Sequence, residues 1–209
     1  MRGAGGMRYN TCAMKKARGP FLFAACVFAA ASVHSAEYRL ELRGDTLEAF
    51  ADGRRFAVLS PAESPRWTLT HDVGGKKFIS FVLAPRDGEK GTFRFPEIRL
   101  EGDASYMKAV GSQGFTTLDE NTGSGMYLAV AEPNSRRGVV AAWLTSEHGS
   151  PLVKSAVSNG VAVLRPELQF GRIGASGCER FVLGAFDDCR LGLEAYGDAV
   201  AAQIGRAHV

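Results

Sequence analysis

Apolar and polar residues alternate in short runs along residues 36–186, and each run ends in turn-forming residues. A period of two places every second side chain on one face, the pattern of a half-buried antiparallel strand. Residues 38–42 (Tyr-Arg-Leu-Glu-Leu) alternate and stop at Gly44-Asp45. Residues 47–51 and 56–59 flank Asp52-Gly53, residues 67–70 and 78–83 flank Gly74-Gly75, and residues 152–157 and 161–164 flank Asn159-Gly160. An Asp-Gly or Asn-Gly pair accepts the two positive φ values of a type I′ turn, whose twist matches the strands it joins. Hairpins are therefore expected at these places. Further strands are expected at 92–100, 105–110, 126–130, 139–145 and 181–186. Pro96 bends the first of them or puts it at an edge, because proline has no amide for the ladder. About a dozen short strands separated by frequent turns predict two packed sheets.

The period changes after residue 187. Leu193, Tyr196 and Val200 recur at spacings of three and four, one face of a helix over 188–203. Asp187 or Asp188 is the natural cap, since a carboxylate can accept hydrogen bonds from the free amides of the first turn. Gly192 and Gly197 each weaken such a helix by about 0.5–1 kcal/mol. It is therefore expected to need packing, against a domain outside this chain. The expected fold is mainly β, an antiparallel β-sandwich with a C-terminal helix.

The two ends read differently. Lys15, Lys16 and Arg18 precede an apolar run at 21–31, and Val33-x-Ser35 offers small residues for cleavage before Ala36. That is the layout of a secretion signal over residues 1–35, with Met14 a candidate start. The apolar run is shorter than the roughly 20 residues that span a bilayer. Residues 204–209, Ile-Gly-Arg-Ala-His-Val, match the translation of a common sequencing-adapter string. Natural sequence is accordingly expected to end near Gln203 within this chain. The expected parts are a signal peptide (1–35), a sandwich (36–190), a helix leading to a missing catalytic domain (191–203) and adapter-derived residues (204–209).

Composition narrows the function classes. With 45% hydrophobic and 22% charged residues, the chain has ordinary globular composition. Its net charge of +3 misleads, because Arg2, Arg8, Lys15, Lys16 and Arg18 all lie in the first 35 residues. Removing those five from 25 leaves 20 basic residues against 22 acidic ones. Nucleic acid is not an expected partner, since that needs clustered positive charge. Once the signal is cleaved, neither is a membrane.

The candidate chemistry is sparse. Cys178 and Cys189 remain after the signal, but the strand between them would hold them far beyond the roughly 7 Å Cα separation of a disulfide, so they are expected to be unpaired. His71 and His148 share no short ligand spacing with another His or Cys, so no metal or cofactor is expected; His71 reads as solvated polar sequence beside the Gly74-Gly75 turn and His148 as a solvated loop residue. Gly123-Ser-Gly125 and Gly174-Ala-Ser-Gly177 lack the spacing of a nucleophile elbow and read as turns. Asp187-Asp188 are adjacent and cannot face each other across a sugar, as paired glycosidase carboxylates must. Four residues stand as ligand-binding candidates. Asp119, Glu120 and Asn121 lie in a Gly-bounded loop, and Trp67, following Pro65-Arg66, is a candidate exposed face for stacking on a sugar. Trp143, inside the apolar run 139–144, is expected in the core.

Residues 138–201 resemble the end of the N-terminal β-sandwich of melibiase-type α-galactosidases and their relatives. The matching residues are Gly138-Val-Val140 with Trp143-Leu-Thr145, Gly171-Arg172, Glu179 with Val182-Leu-Gly184, Asp187-Asp188, and Leu193-Glu194, Tyr196 and Val200-Ala201. Ala142 stands where a second glycine would be expected. The resemblance implies a supersandwich-like domain followed by a catalytic (β/α)₈ barrel that carries both catalytic carboxylates, so no residue here inherits a catalytic role. The first reading is then a non-catalytic front domain of an exported α-galactosidase-like glycoside hydrolase, with carbohydrate and the missing barrel as partners. A stand-alone exported carbohydrate-binding, lectin-like module is the second, and an envelope structural domain the third.

Overall fold

The computed structural model describes residues 36–73, 77–86, 91–112, 114–118, 122–169 and 177–207. Within them the strands run in the order β1 (Tyr38–Arg43), β2 (Thr46–Ala51), β3 (Arg54–Ser60), β4 (Trp67–Asp72), β5 (Ile79–Pro85), β6 (Phe93–Arg94) and β7 (Glu97–Leu100). A single turn of 3-10 helix (Ala104–Tyr106) precedes β8 (Lys108–Gly111), β9 (Gly114–Thr116), β10 (Thr122–Ser124) and β11 (Tyr127–Ala131). Next come β12 (Gly138–Trp143), β13 (Ser150–Ser158), β14 (Val161–Gln169), β15 (Glu179–Phe186) and the helix α1 (Cys189–Ala207).

Two antiparallel sheets result. One has the order β1-β2-β3-β7-β14-β13-β10, with β6 also paired to β14. The other has the order β4-β5-β15-β12-β11-β8-β9. The hairpins form where turn chemistry predicts them. Asp52 and Gly53 have φ of +50° and +75°, Asn159 and Gly160 of +52° and +75°, as a type I′ turn requires. β4 and β5 pair as expected, although their Gly74-Gly75 connection lies outside the described residues. The expected strand at 92–100 breaks at Phe95-Pro96 into β6 and β7. The break has a purpose: Phe95 turns inward, within 4.4 Å of Phe181 and 5.3 Å of Phe81, ring centroid to ring centroid.

Some elements differ from expectation. Residues 104–106 are helical rather than extended because the Asp103 side chain accepts from Ser105 N at 2.9 Å and folds the start of that segment. Gly123-Ser124 are not a turn but part of β10, held by Val153–Ser155 of β13. The helix runs to Ala207, past the expected end at Gln203. Its packing also corrects an expectation. Cys189, Ala195 and Tyr196 are buried on the outer face of the chain's own second sheet, against Phe78, Ala129, Val140, Ala142 and Val182. Tyr196 donates from its hydroxyl to the Trp143 carbonyl at 3.0 Å. The helix face thus needs no outside domain in order to be covered.

The outer face of the first sheet is charged instead. Arg43 bonds Glu41 at 2.8 Å, Arg55 bonds Glu48 at 2.6 Å and Glu101 at 2.7 Å, and Arg165 bonds Glu97 at 2.9 Å. Between the sheets lies one apolar core that includes Leu59, Phe81, Ile98, Leu128, Trp143, Leu164 and Phe181, all without significant exposure. Tyr38 of β1 ties the layers together. Its hydroxyl accepts from Ala185 N and lies within donating distance of the Lys77 and Ala185 carbonyls, each at 3.1 Å. Burial pushes its pKa above the ordinary tyrosine value.

Candidate functional site

Trp67 starts β4, an edge strand of the second sheet. The alternation of β4 turns Thr68 and Thr70 outward and Trp67 and Leu69 toward the core. Trp67 is consequently 7% exposed and offers no open ring face for stacking. Its position beside Pro65-Arg66 suggested exposure, but in a strand the register decides which side a residue faces. Trp67 nonetheless borders a cleft of about 490 Å³ lined by Arg66, Trp67, Gly91, Thr92, Phe93 and Arg94. The cleft lies where β4 of one sheet meets β6, which hangs from β14 of the other through Arg94↔Glu167 and Phe93↔Leu168. Phe93 is also buried, and the Arg66 guanidinium sits 6.0 Å above its ring centroid. The other expected ligand contacts, Asp119, Glu120 and Asn121, lie outside the described residues, as do Gly171-Arg172 and Gly174-Ala-Ser.

A second polar cluster is built on Glu179, the first residue of β15. Its side chain points with Phe181 and Leu183 toward the core and has no exposed surface. One carboxylate oxygen accepts from the His148 backbone N–H at 2.8 Å and lies 2.9 Å from His148 Nδ1. The other accepts from the Thr145 hydroxyl, which in turn accepts from Arg180 N at 2.8 Å. Every oxygen of this buried group is therefore met, which is the condition for burying a carboxylate at tolerable cost. His148, expected as solvated loop, has only a quarter of its side chain exposed. Its Nε2 packs so closely on Gly177 that a Cβ there would lie 2.5 Å away. With Nδ1 taken by Glu179 and Nε2 crowded by backbone, the imidazole closes the β12–β13 loop over β15. The two partners of Glu179, Thr145 and His148, are 34 and 31 residues away in sequence, so no spacing pattern announces the cluster.

Asp188 caps the helix. Asp188 accepts from Arg190 N at 3.0 Å and from the Arg190 guanidinium at 2.7 Å. The Arg190 side-chain bond foremost, then its backbone N–H, hold the Asp188 carboxyl down at about 2. Asp187 pairs with Arg137 at 3.1 Å, and Cys189 N donates to the Arg136 carbonyl at 2.9 Å. Both cysteines are unpaired, Cys178 exposed and Cys189 buried. Burial, with the Asp188 charge beside it, pushes the Cys189 thiol up to about 12, so it stays protonated and inert at neutral pH.

Among the described residues no three His, Cys, Asp or Glu side chains converge as metal ligands. The two buried carboxylates, Glu167 and Glu179, stand on strands of different sheets. Glu167 is bonded by Lys154 at 2.5 Å and Gln169 at 2.7 Å, and Glu179 by Thr145 and His148. No helix among the described residues is long and apolar enough to cross a membrane. Compared with known protein families and with curated proteins, the chain matches none.

Proposed function

We propose that this chain is a non-catalytic β-sandwich module of an exported, α-galactosidase-like glycoside hydrolase, and that it supports a catalytic barrel carried by the same polypeptide. The supporting observation is the joint between β12, β15 and α1, where the described residues of the sequence resemblance lie. A Cβ on Gly138 would collide with the Val130 carbonyl oxygen, and one on Gly184 would meet Phe78 at 2.7 Å. Thr145 and Glu179 bond each other, Trp143 receives the Tyr196 hydroxyl, and Asp188 caps the helix. These residues fix the direction in which the chain leaves the sandwich, which is what a module feeding a second domain requires. The seat of α1 on its own sheet removes one reason to invoke that domain, so the proposal rests on the joint and the resemblance. A stand-alone lectin-like module loses its main support, because Trp67 is buried.

Two measurements test the proposal. Residues 36–203 should not hydrolyse a nitrophenyl α-galactoside, and turnover by the purified chain would overturn it. The genomic sequence downstream of Gln203 should encode a (β/α)₈ barrel with aspartates at its strand ends. A native stop codon after Val209 would equally overturn it.

A further inference from the structure

We propose that β1 is a docking edge for a second copy of this chain, so that two sandwiches join through one continuous sheet across a two-fold axis. In its eight-stranded sheet β1 pairs with β2 alone. That pairing shows which backbone groups of β1 are spent. Asp52 N donates to the Glu37 carbonyl at 2.9 Å, and the register continues as Arg39↔Phe50, Glu41↔Glu48 and Arg43↔Thr46. Bonding alternates along an antiparallel strand, so residues 37, 39, 41 and 43 bond towards β2. The N–H and C=O groups of Tyr38, Leu40 and Leu42 point to the open edge. Such an edge is a template for another strand.

The sequence of β1 selects its own copy. Antiparallel pairing centred on Leu40 sets Tyr38 opposite Leu42 and Leu40 opposite Leu40, and those three pairs exchange about six backbone hydrogen bonds. The same register sets Arg39 opposite Glu41 and Arg43 opposite Glu37, each twice, on the outer face. Opposite charges facing each other stabilise a strand pair, and like charges oppose it. Sliding the copies by one pairing step spoils the match in either direction. One slide sets Arg39 against Arg43 and Glu41 against Glu41, and the other sets Arg39 against Arg39 and Glu37 against Glu41. Within one copy Glu41 pairs with Arg39 and Arg43, and Glu48 pairs with Arg43. Both arginine side chains are more than half exposed, so these weak pairs can be shared across the edge. The charges therefore set register more than affinity. Affinity comes from the backbone bonds and from Leu42, at 62% the most exposed large aliphatic side chain described, which Tyr38 and Leu40 of the second copy would cover. The other edge strands lack this pattern. β9 and β10 have three residues each, and β4 has no lysine or arginine.

The test is sedimentation velocity and amide exchange of the purified chain over a concentration series. A one-strand interface is small, so a Kd on the order of 10–100 µM is expected. The mass should rise from one chain to two across that range, and the amides of Tyr38, Leu40 and Leu42 should become protected with it. Glu41→Lys and Arg39→Glu each bring like charges opposite one another. Each should weaken the dimer at least about fivefold, with an unchanged unfolding midpoint in dilute samples. An equimolar mixture of the two variants restores opposite charges at all these positions and should dimerise more tightly than either alone. A chain that stays monomeric to about 1 mM, a dimer that leaves the three amides unprotected, variants that dimerise like the parent, or a mixture no tighter than its components would overturn the inference. So would full protection of the three amides in a dilute, monomeric sample, because a segment of the chain itself would then hold the edge.

Discussion

A carboxylate with no exposed surface persists at position 179 because its donors come from two separate places in the chain. Thr145 and His148 reach it from the β12–β13 loop only because β12 and β15 are neighbours in the sheet. Removing the carboxylate strands the Thr145 hydroxyl and the His148 N–H in a closed space. Glu179→Ala should therefore cost about 2–4 kcal/mol of unfolding free energy, and Glu179→Gln less, since the amide keeps one acceptor. Urea denaturation at neutral pH measures both, and an alanine variant within 0.5 kcal/mol of the parent (about the reach of an ordinary surface change) would show the cluster to be ornamental. Ser155 is the opposite case. Its hydroxyl is buried between the sheets and bonds nothing. Ser155→Ala should then be neutral or stabilising by up to about 1 kcal/mol, and a clear loss of stability in the same assay would reveal a partner for it. Neither residue could be read from the sequence. Local spacing does not report a contact made across two strands, and the same blindness misplaced Trp67, whose exposure depended on the register of β4.

At the scale of elements, local chemistry was far more informative. The Asp52-Gly53 and Asn159-Gly160 turns need only their own φ values, so they form wherever the flanking strands allow. β9 and β10 were missed because three residues with little apolar pattern become strands only when β8 and β13 supply partners. The helix was foreseen from its three-and-four spacing and its Asp cap, but its seat was not. A signal for the seat did exist. Residues 139–143 are apolar without alternation, and a strand of that kind is covered on both faces. One face of β12 meets the core and the other meets α1. The cap gives the helix a pH dependence of definite sign. The Asp188 carboxyl is held at about 2, below its ordinary value. Its contribution is therefore complete above that ordinary value, near 4, and is lost as pH falls through about 2. The protection of amides in the first turns of α1, corrected for their intrinsic exchange rates, should fall between about pH 4 and pH 2 in the parent, and Asp188→Asn should be less protected at neutral pH but change less over the same window. An identical acid response in the two proteins would assign the cap elsewhere.

The sandwich is asymmetric in a way that makes α1 structural rather than terminal ornament. Both sheets turn an apolar face inward, but only the first turns an ion-paired face to water. The second presents Ala129, Val140, Ala142 and Val182 outward with Phe78 beside them, and the described residues of α1 lie over them. An uncovered apolar sheet face of that kind is a site for association. The inner core does not depend on the helix. Trp143, Phe181, Phe81 and Phe95 pack edge-on or tilted within it, at centroid distances of 4.4–6.2 Å for the contacting pairs. Deleting residues 189–207 should separate the two roles. The truncated chain should keep the near-ultraviolet circular dichroism of its buried tryptophans. It should also bind a hydrophobic dye and self-associate at concentrations where the parent stays monomeric. Loss of the near-ultraviolet signal would mean that the sandwich cannot fold without its helix. A soluble, dye-silent truncation would mean that something other than α1 protects the sheet.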